Sequence, residues 1–287
     1  MDKVKFQYWI QAARPKTLLV SIAPVVMSLA LASIHNIINW LPAIISLIFA
    51  VMAQILSNFV NDYSDGIKGA DDERLGPQRM VASGLISPQK MFQVIIAWGV
   101  FTFLLGCTLL YWGGWILLPF GIVILLCALA YSAGPFPLSR HALGDVAVVF
   151  FYGIAPVVLT FFIQTGFINY QIIIAGIAIG VVENNLLIVN NYRDAEQDAK
   201  NGKKTTVTIL GRRVMKGVYC LNPLIAIVSM CFILSTTVLL YLIPFLIYST
   251  FVDIRFSKCN GSELNKLIGM SSLEAIIFAL SITLYVL

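Results

Sequence analysis

Apolar runs, most of them about as long as a helix needs to cross a bilayer, alternate along this chain with short polar connections. They fall near 17–34, 41–60, 91–111, 115–131, 143–164, 170–190, 217–235, 237–252 and 268–286, so the pattern predicts an all-α polytopic membrane protein with nine transmembrane helices. The least marked division is Ser235-Thr236-Thr237. Pro24, Pro119, Pro156, Pro223 and Pro244 lie in or near the runs. Membrane helices tolerate them, because neighbouring helices and local readjustment satisfy the freed backbone groups. Gly176 and Gly180 are spaced for close contact with another helix. Ala30-Leu31-Ala32 imitates the cleavage site of a secretory leader. The run before it exceeds the ~7–15 apolar residues of a leader, and further spans follow, so it reads as the first crossing.

Composition agrees with the pattern. Hydrophobic residues make up 59% of the 287, charged residues 11%, and the mean hydropathy is +0.87; a soluble domain carries about 25% charged residues. Five scattered cysteines without CxxC spacing argue against a disulfide framework or a zinc site. With nine crossings, residues 1–16 and the connections 61–90, 132–142, 191–216 and 253–267 share one side, and all 19 Lys and Arg fall there. The positive-inside rule makes that side cytoplasmic. So complete a sorting supports the count, since one missed crossing would divide the basic residues. Asp145, Glu183 and Glu274 fall inside runs but within about three turns of the same side, where ionisable groups usually face an interior cavity. The expectation is a central chamber open toward the cytoplasm. Glu183 and Glu274 read equally well as buried, protonated structural groups.

Two stretches carry the chemistry. Asn58 to Arg79 leaves an apolar run and presents Asn58, Asn61, Asp62, Asp65, Asp71, Asp72 and Glu73 among Lys68, Arg74 and Arg79. On a helix Asn61 and Asp65 share a face, as do Asn58 and Asp62. The sixth run ends in Asn190, Asp194 and Asp198, an i, i+4, i+8 ladder with Glu183 near the same face, followed by Lys200, Lys203 and Lys204. Two oxygen-rich stripes on one membrane face, rimmed by cations, suit Mg²⁺ ions bridging a diphosphate. The plainer reading is two unrelated hydrated loops at the membrane edge.

The chain resembles the UbiA superfamily of intramembrane aromatic prenyltransferases. The likeness rests on Asn61-Asp62-Tyr63-Ser64-Asp65 with Gly69, Arg74-Leu75-Gly76-Pro77, Tyr131 to Pro137, Gly144-Asp145, and Asn190-Asn191-Tyr192-Arg193-Asp194 with Gly202-Lys203-Lys204-Thr205. Within it the chain looks most like the branch that prenylates 1,4-dihydroxy-2-naphthoate in menaquinone synthesis. Position 69 departs from the general motif, holding Gly69 where an Asp is expected, with Asp71 or Asp72 as shifted substitutes. The resemblance implies one transmembrane domain over 1–287 in a bacterial inner membrane, its active-site mouth cytoplasmic. Its partners would be a polyprenyl diphosphate, an aromatic acid and the lipid bilayer, with no nucleic acid and no obligate protein partner.

On that resemblance Asn61, Asp65, Asp194 and Asp198 bind the Mg²⁺-diphosphate, with Asp62 and Asn190 as further metal ligands. Lys68, Arg74, Arg79, Arg193 and Lys203 contact the diphosphate, or serve only as positive-inside charges. Tyr131, Arg140 and Asp145 bracket one connection and address the aromatic acid; Tyr131 alone also reads as an interfacial anchor. Prenylation of 4-hydroxybenzoate, a haem or a glycerol phosphate is the alternative within the superfamily. A secondary transporter is the alternative outside it, but transporters place their sites near the midplane, whereas these acidic residues gather toward one face. A CDP-alcohol phosphatidyltransferase would share Asp65-Gly66 but lacks its remaining spacing.

Overall fold

The computed structural model describes residues 5–35, 37–67 and 76–287. Among these no strand occurs, only an isolated parallel bridge between His141 and Lys204. The helices are α1 (Phe6–Ala13), α2 (Leu19–Ser33), α3 (Trp40–Gly66), α4 (Pro88–Thr108), α5 (Leu110–Gly113), α6 (Leu117–Ala130) and α7 (Gly144–Val148). A π-helical segment, Val149–Ile154, joins α7 to α8 (Ala155–Thr165). There follow α9 (Tyr170–Lys200), α10 (Thr206–Leu210), α11 (Arg212–Ile233), α12 (Val238–Tyr241), α13 (Ile243–Lys258) and α14 (Leu264–Val286).

Helix occupies every predicted apolar run. Among the described residues six helices are each long and apolar enough to cross a membrane, or seven if Phe6–Thr17 and Leu19–Ser33, bent by 49°, form one broken span. Leu117–Ala130 is shorter, and a break at Leu242 separates α12 from α13. The protein is a multi-pass membrane protein built wholly of helices.

Local signals set the ends of the two helices that matter most. The Asn39 side chain caps α3 by accepting from the Leu41 N–H, and Asn169 caps α9 by accepting from Ile172. Both helices then run past their apolar stretches, α3 to Gly66 and α9 to Lys200, so Asn58, Asn61, Asp62 and Asp65, and Asn190, Asp194 and Asp198, sit on helix. α9 is the central element: 72% of its most apolar window is buried, against 17% for the helix that begins at Pro88. Around it Ile179, Val182, Phe278 and Ile282 pack with residues of α2, α8 and α11.

The π segment lies tightly against α9. A Cβ at Gly153 would stand 2.4 Å from the Gly176 carbonyl oxygen and 2.5 Å from the Gly180 Cα. The small-residue spacing of α9 thus receives a third glycine from its neighbour, as close helix packing in lipid requires. Gly153→Leu is expected to destabilise the detergent-solubilised protein by about 1–3 kcal/mol or more, through overpacking against backbone that has nowhere to go. Gly121→Ala, whose Cβ meets nothing within 4 Å, is expected not to lower the melting midpoint. Parallel thermal unfolding of the two variants checks the pair.

Candidate active site

The ends of α3 and α9 close over a polar cavity of 840 Å³, counting its open mouth. Asn61 and Asp65 line it from α3; Asn190, Asp194 and Asp198 line it from α9. The two stripes read from the sequence therefore face one another. Arg79, Arg140, Lys203, Tyr131 and Asp145 line the same cavity. Lys68 and Arg74, with Asp71 and Asp72, lie outside the described residues.

On the α3 side, the Arg79 guanidinium donates to the Asn61 carbonyl at 2.6 Å and to the Asn61 side-chain oxygen at 3.0 Å, and pairs with Asp65. Arg140 approaches the other Asp65 oxygen at 4.0 Å. On the α9 side, Arg193 holds Asp194 through two bonds of 2.7 and 2.6 Å and also donates to Asn190 and Asn265. Lys203 donates to both Asp198 oxygens, at 3.2 and 3.0 Å. A short bridge ties the cations together, the Lys204 N–H donating to the Arg140 carbonyl and the Ala142 N–H to the Lys204 carbonyl.

Three expected roles change. Asp62 does not line the cavity: its oxygens accept from the Met80 and Val81 N–H groups at 3.0 and 2.8 Å. One residue off the Asn61–Asp65 stripe, it faces the segment after α3 and folds that segment so that Arg79 reaches back. Arg193 is not a cavity cation: its side chain is fully buried and orients Asp194 and Asn190. Asp145 reaches the cavity, but its oxygens accept from Asn184 at 3.1 Å and Thr206 at 2.7 Å, so it ties α7 to α9 and α10. Glu183 and Glu274 are buried; among the described residues no group meets hydrogen-bond geometry at the Glu183 carboxyl, while Ser249 and Asn185 stand beside that of Glu274.

Sequence reasoning gave no site role to Arg14, Ser139, Gln197 and Asn201, and named Asn191 and Thr205 only within the motifs of the likeness; all six also line the cavity. Arg14 had a signal. It precedes a proline, which disfavours ordinary helix at that position, and it adopts φ 53°, turning the chain between α1 and the next helical turn. Asn58 holds this corner by donating to the Ala13 carbonyl at 2.9 Å.

The oxygens facing the cavity suit a hard divalent cation, since the donor set contains neither thiolate nor imidazole. Among the described residues no three carboxylate, imidazole or thiol groups gather closely enough to hold an ion by themselves. That fits an ion whose remaining ligands are water and phosphate, as is usual for Mg²⁺.

Beneath the polar cavity lies an apolar chamber of 1230 Å³, counting its opening, walled by α3, α4, α6 and α8. Phe49, Phe103, Leu118, Ile124, Phe151 and Leu159 are among its lining residues. Tyr131 lines both spaces. Its hydroxyl is within electrostatic reach of Tyr152 in the chamber and of Asp65, Asp145 and Arg14 in the cavity. The pair of spaces can receive one amphiphile, its anionic head among the cations and its tail in the chamber.

The UbiA prenyltransferase family profile matches residues 21–266. The 1,4-dihydroxy-2-naphthoate octaprenyltransferase of Haemophilus influenzae is 34% identical over 242 residues, covering 81% of this chain and 78% of that protein. The enzyme of the same name from Escherichia coli is 35% identical over 214 residues, 71% and 69% of the two chains. Among solved structures, a UbiA homologue from Aeropyrum pernix superposes with a TM-score of 0.72 at 12% identity, over 94% of this chain and 98% of that one. A homologue from Archaeoglobus fulgidus bound to GPP and Mg²⁺ gives 0.66 at 15% identity, over 96% and 99%. These structural likenesses concern the fold.

Asp62→Ala is expected to leave the Met80 and Val81 amides without acceptors. Hydrogen bonds to charged groups contribute about 1.5–3 kcal/mol, so amide exchange at these two sites should quicken by about tenfold or more. Unchanged protection would show that the segment holds its shape without Asp62.

Proposed function

The chain belongs to the UbiA prenyltransferase family, and from that membership we propose that it transfers a polyprenyl group from a polyprenyl diphosphate to 1,4-dihydroxy-2-naphthoate, releasing diphosphate and CO₂ and giving demethylmenaquinol. The observation that carries this reading is the junction at Tyr131, where a cation-rimmed oxygen cradle meets an apolar chamber. A reaction whose substrate has a diphosphate at one end and a long hydrocarbon at the other needs both at once.

Asn61, Asp65, Asn190, Asp194 and Asp198 would hold Mg²⁺, with the diphosphate completing its coordination. Bound there, the ion supplies Lewis-acid stabilisation of the negative charge that develops on the leaving group. Arg79, Arg140, Lys203 and Arg14 surround the same space and take up further phosphate charge, a preorganised electrostatic contribution. Arg193 keeps Asp194 and Asn190 in place from behind. Tyr131 stands where the allylic carbon would lie, and the chamber keeps water from the allylic cation.

The electron balance is simple for a naphthoate acceptor. The bond from the allylic carbon to the diphosphate oxygen breaks with its electron pair going to oxygen. The ring supplies the pair for the new carbon–carbon bond. The carboxylate then leaves as CO₂, and its bonding pair restores the aromatic ring. We read the whole chain as one catalytic domain with nine crossings in a bacterial inner membrane, and the sorting of every Lys and Arg to one side supports a cytoplasmic mouth.

Asp65→Ala and Asp194→Ala are each expected to lower turnover by at least about a hundredfold, the scale of losing a preorganised electrostatic group, with the protein still folded in the membrane. Product formation from naphthoate and a labelled prenyl diphosphate, read by mass spectrometry, checks both. Near-normal activity of both variants overturns the assigned ligands. Chelation of divalent ions is expected to stop the same assay, and full activity in chelator would remove the metal from the mechanism.

A further inference from the structure

Most polar groups on the chamber wall are small hydroxyls, such as Ser21, whose Oγ donates to the carbonyl of Leu18 on its own chain segment. One pair differs. The Tyr152 hydroxyl donates to Oε1 of Gln54, joining the π segment to α3, and both side chains line the chamber. Gln54 is 7% exposed and lines the chamber. Ser57 stands beside the Tyr152 hydroxyl.

Three features set this pair next to the reacting centre. Gln54 precedes Asn61 by seven residues, two helical turns, and so lies on the same face of α3 about 10 Å deeper. Tyr152 belongs to the π segment, a rare irregularity frequent at functional sites, and the adjoining Gly153 fixes its position by direct contact with α9. Tyr131, at the junction of the two spaces, is within electrostatic reach of Tyr152. A prenyl tail has no use for hydrogen-bonding groups at this depth, and polar side chains inside a bilayer are expensive to keep. A hydroxylated aromatic ring brought up to the allylic carbon does need them, because burying an unpartnered hydroxyl is costly.

Resting on the prenyl-transfer reading above, we propose that Gln54 and Tyr152 form the subsite that reads a ring hydroxyl of the acceptor. The acceptor hydroxyl donates to the Tyr152 oxygen, which donates in turn to Gln54 Oε1. Such a chain polarises along its length. It draws the hydroxyl's proton outward and leaves more electron density on the ring that must attack. No proton need leave the ring, so the pair acts in recognition and orientation.

The test uses the full-length protein in liposomes, with geranyl diphosphate as donor and 1,4-dihydroxy-2-naphthoate as acceptor. 1-Hydroxy-2-naphthoate and 4-hydroxy-2-naphthoate serve as competitive inhibitors. Tyr152→Phe and Gln54→Met are each expected to raise the acceptor KM about tenfold, the scale of one lost hydrogen bond in a dry site, with the donor KM unchanged. One monohydroxy analogue should bind the variants and the parent protein equally well, because it lacks the hydroxyl the pair reads. If both analogues weaken to the same extent as the diol, or the donor KM rises with the acceptor's, the pair is only a tie between helices and the proposal falls. Unchanged acceptor KM in both variants overturns it as well. A parent protein that ignores the naphthoate altogether overturns the functional reading itself, a distinguishable result.

Discussion

A carboxylate at the edge of hydrocarbon persists only with a partner, and this constraint governs the cradle. Three acidic side chains there pair with a cation, Asp65 with Arg79, Asp194 with Arg193 and Asp198 with Lys203, while Asp145 accepts from Asn184 and Thr206. The pairs are not equivalent. Arg193 is wholly buried and bonded on every side, so it is fixed structure, whereas the Lys203 side chain keeps 21% of its surface exposed. On the proposed reading, a diphosphate would recruit the exposed cation without stranding a buried charge. The buried one must stay, since breaking such a pair leaves an uncompensated ion that costs several kcal/mol.

One helix carries both halves of the site. Along α3, Ala53 and Gln54 face the chamber and Asn61 and Asp65 face the cradle. α9 adds Leu187, Asn190, Asp194 and Asp198 to the cradle alone. On the proposed reading, head group and tail would be registered against one another by the rise of α3, which varies far less than loop geometry. Asp145, pinned by Asn184 and Thr206, and the bridge at Lys204 bring the remaining cations to this frame.

The chain's own letters disclose the stripes because helical period puts i and i+4 on one face, and nothing tertiary need be known for that. They do not disclose the rotation of one helix against another. Asp62 lies one residue from the stripe and turns to the backbone of Met80 and Val81, while Arg193, beside Asp194, turns into the protein toward Asn265. Both carry the right charge for the chemistry and sit a fraction of a turn away from it. Arg14 is the converse, an outlying residue returned to the site by a left-handed turn and by Asn58. Apolar length also overstates what a segment does, since a run can bend, as at Phe6–Ser33, or break, as at Leu242.

Burial is uneven across the bundle, and the unevenness follows the division of labour. α9 is mostly enclosed and contacts α11, α14 and the π segment, with Glu183, Asn184 and Asn185 all buried at its middle. α6 presents Leu118, Gly121, Ile124 and Ala128 to the chamber, while Phe120, Val123 and Leu126 on its other faces are exposed. Polar groups that hold a geometry lie in the enclosed half, where Asn184 donates to Asp145 and Asn185 donates to the Tyr219 carbonyl and accepts from Asn222. A wall that only has to match hydrocarbon on both sides gains little from tight packing, because lipid and prenyl tail are equally apolar. The enclosed half of the molecule therefore lies where charged side chains are paired, and the thin half where the apolar chamber is walled.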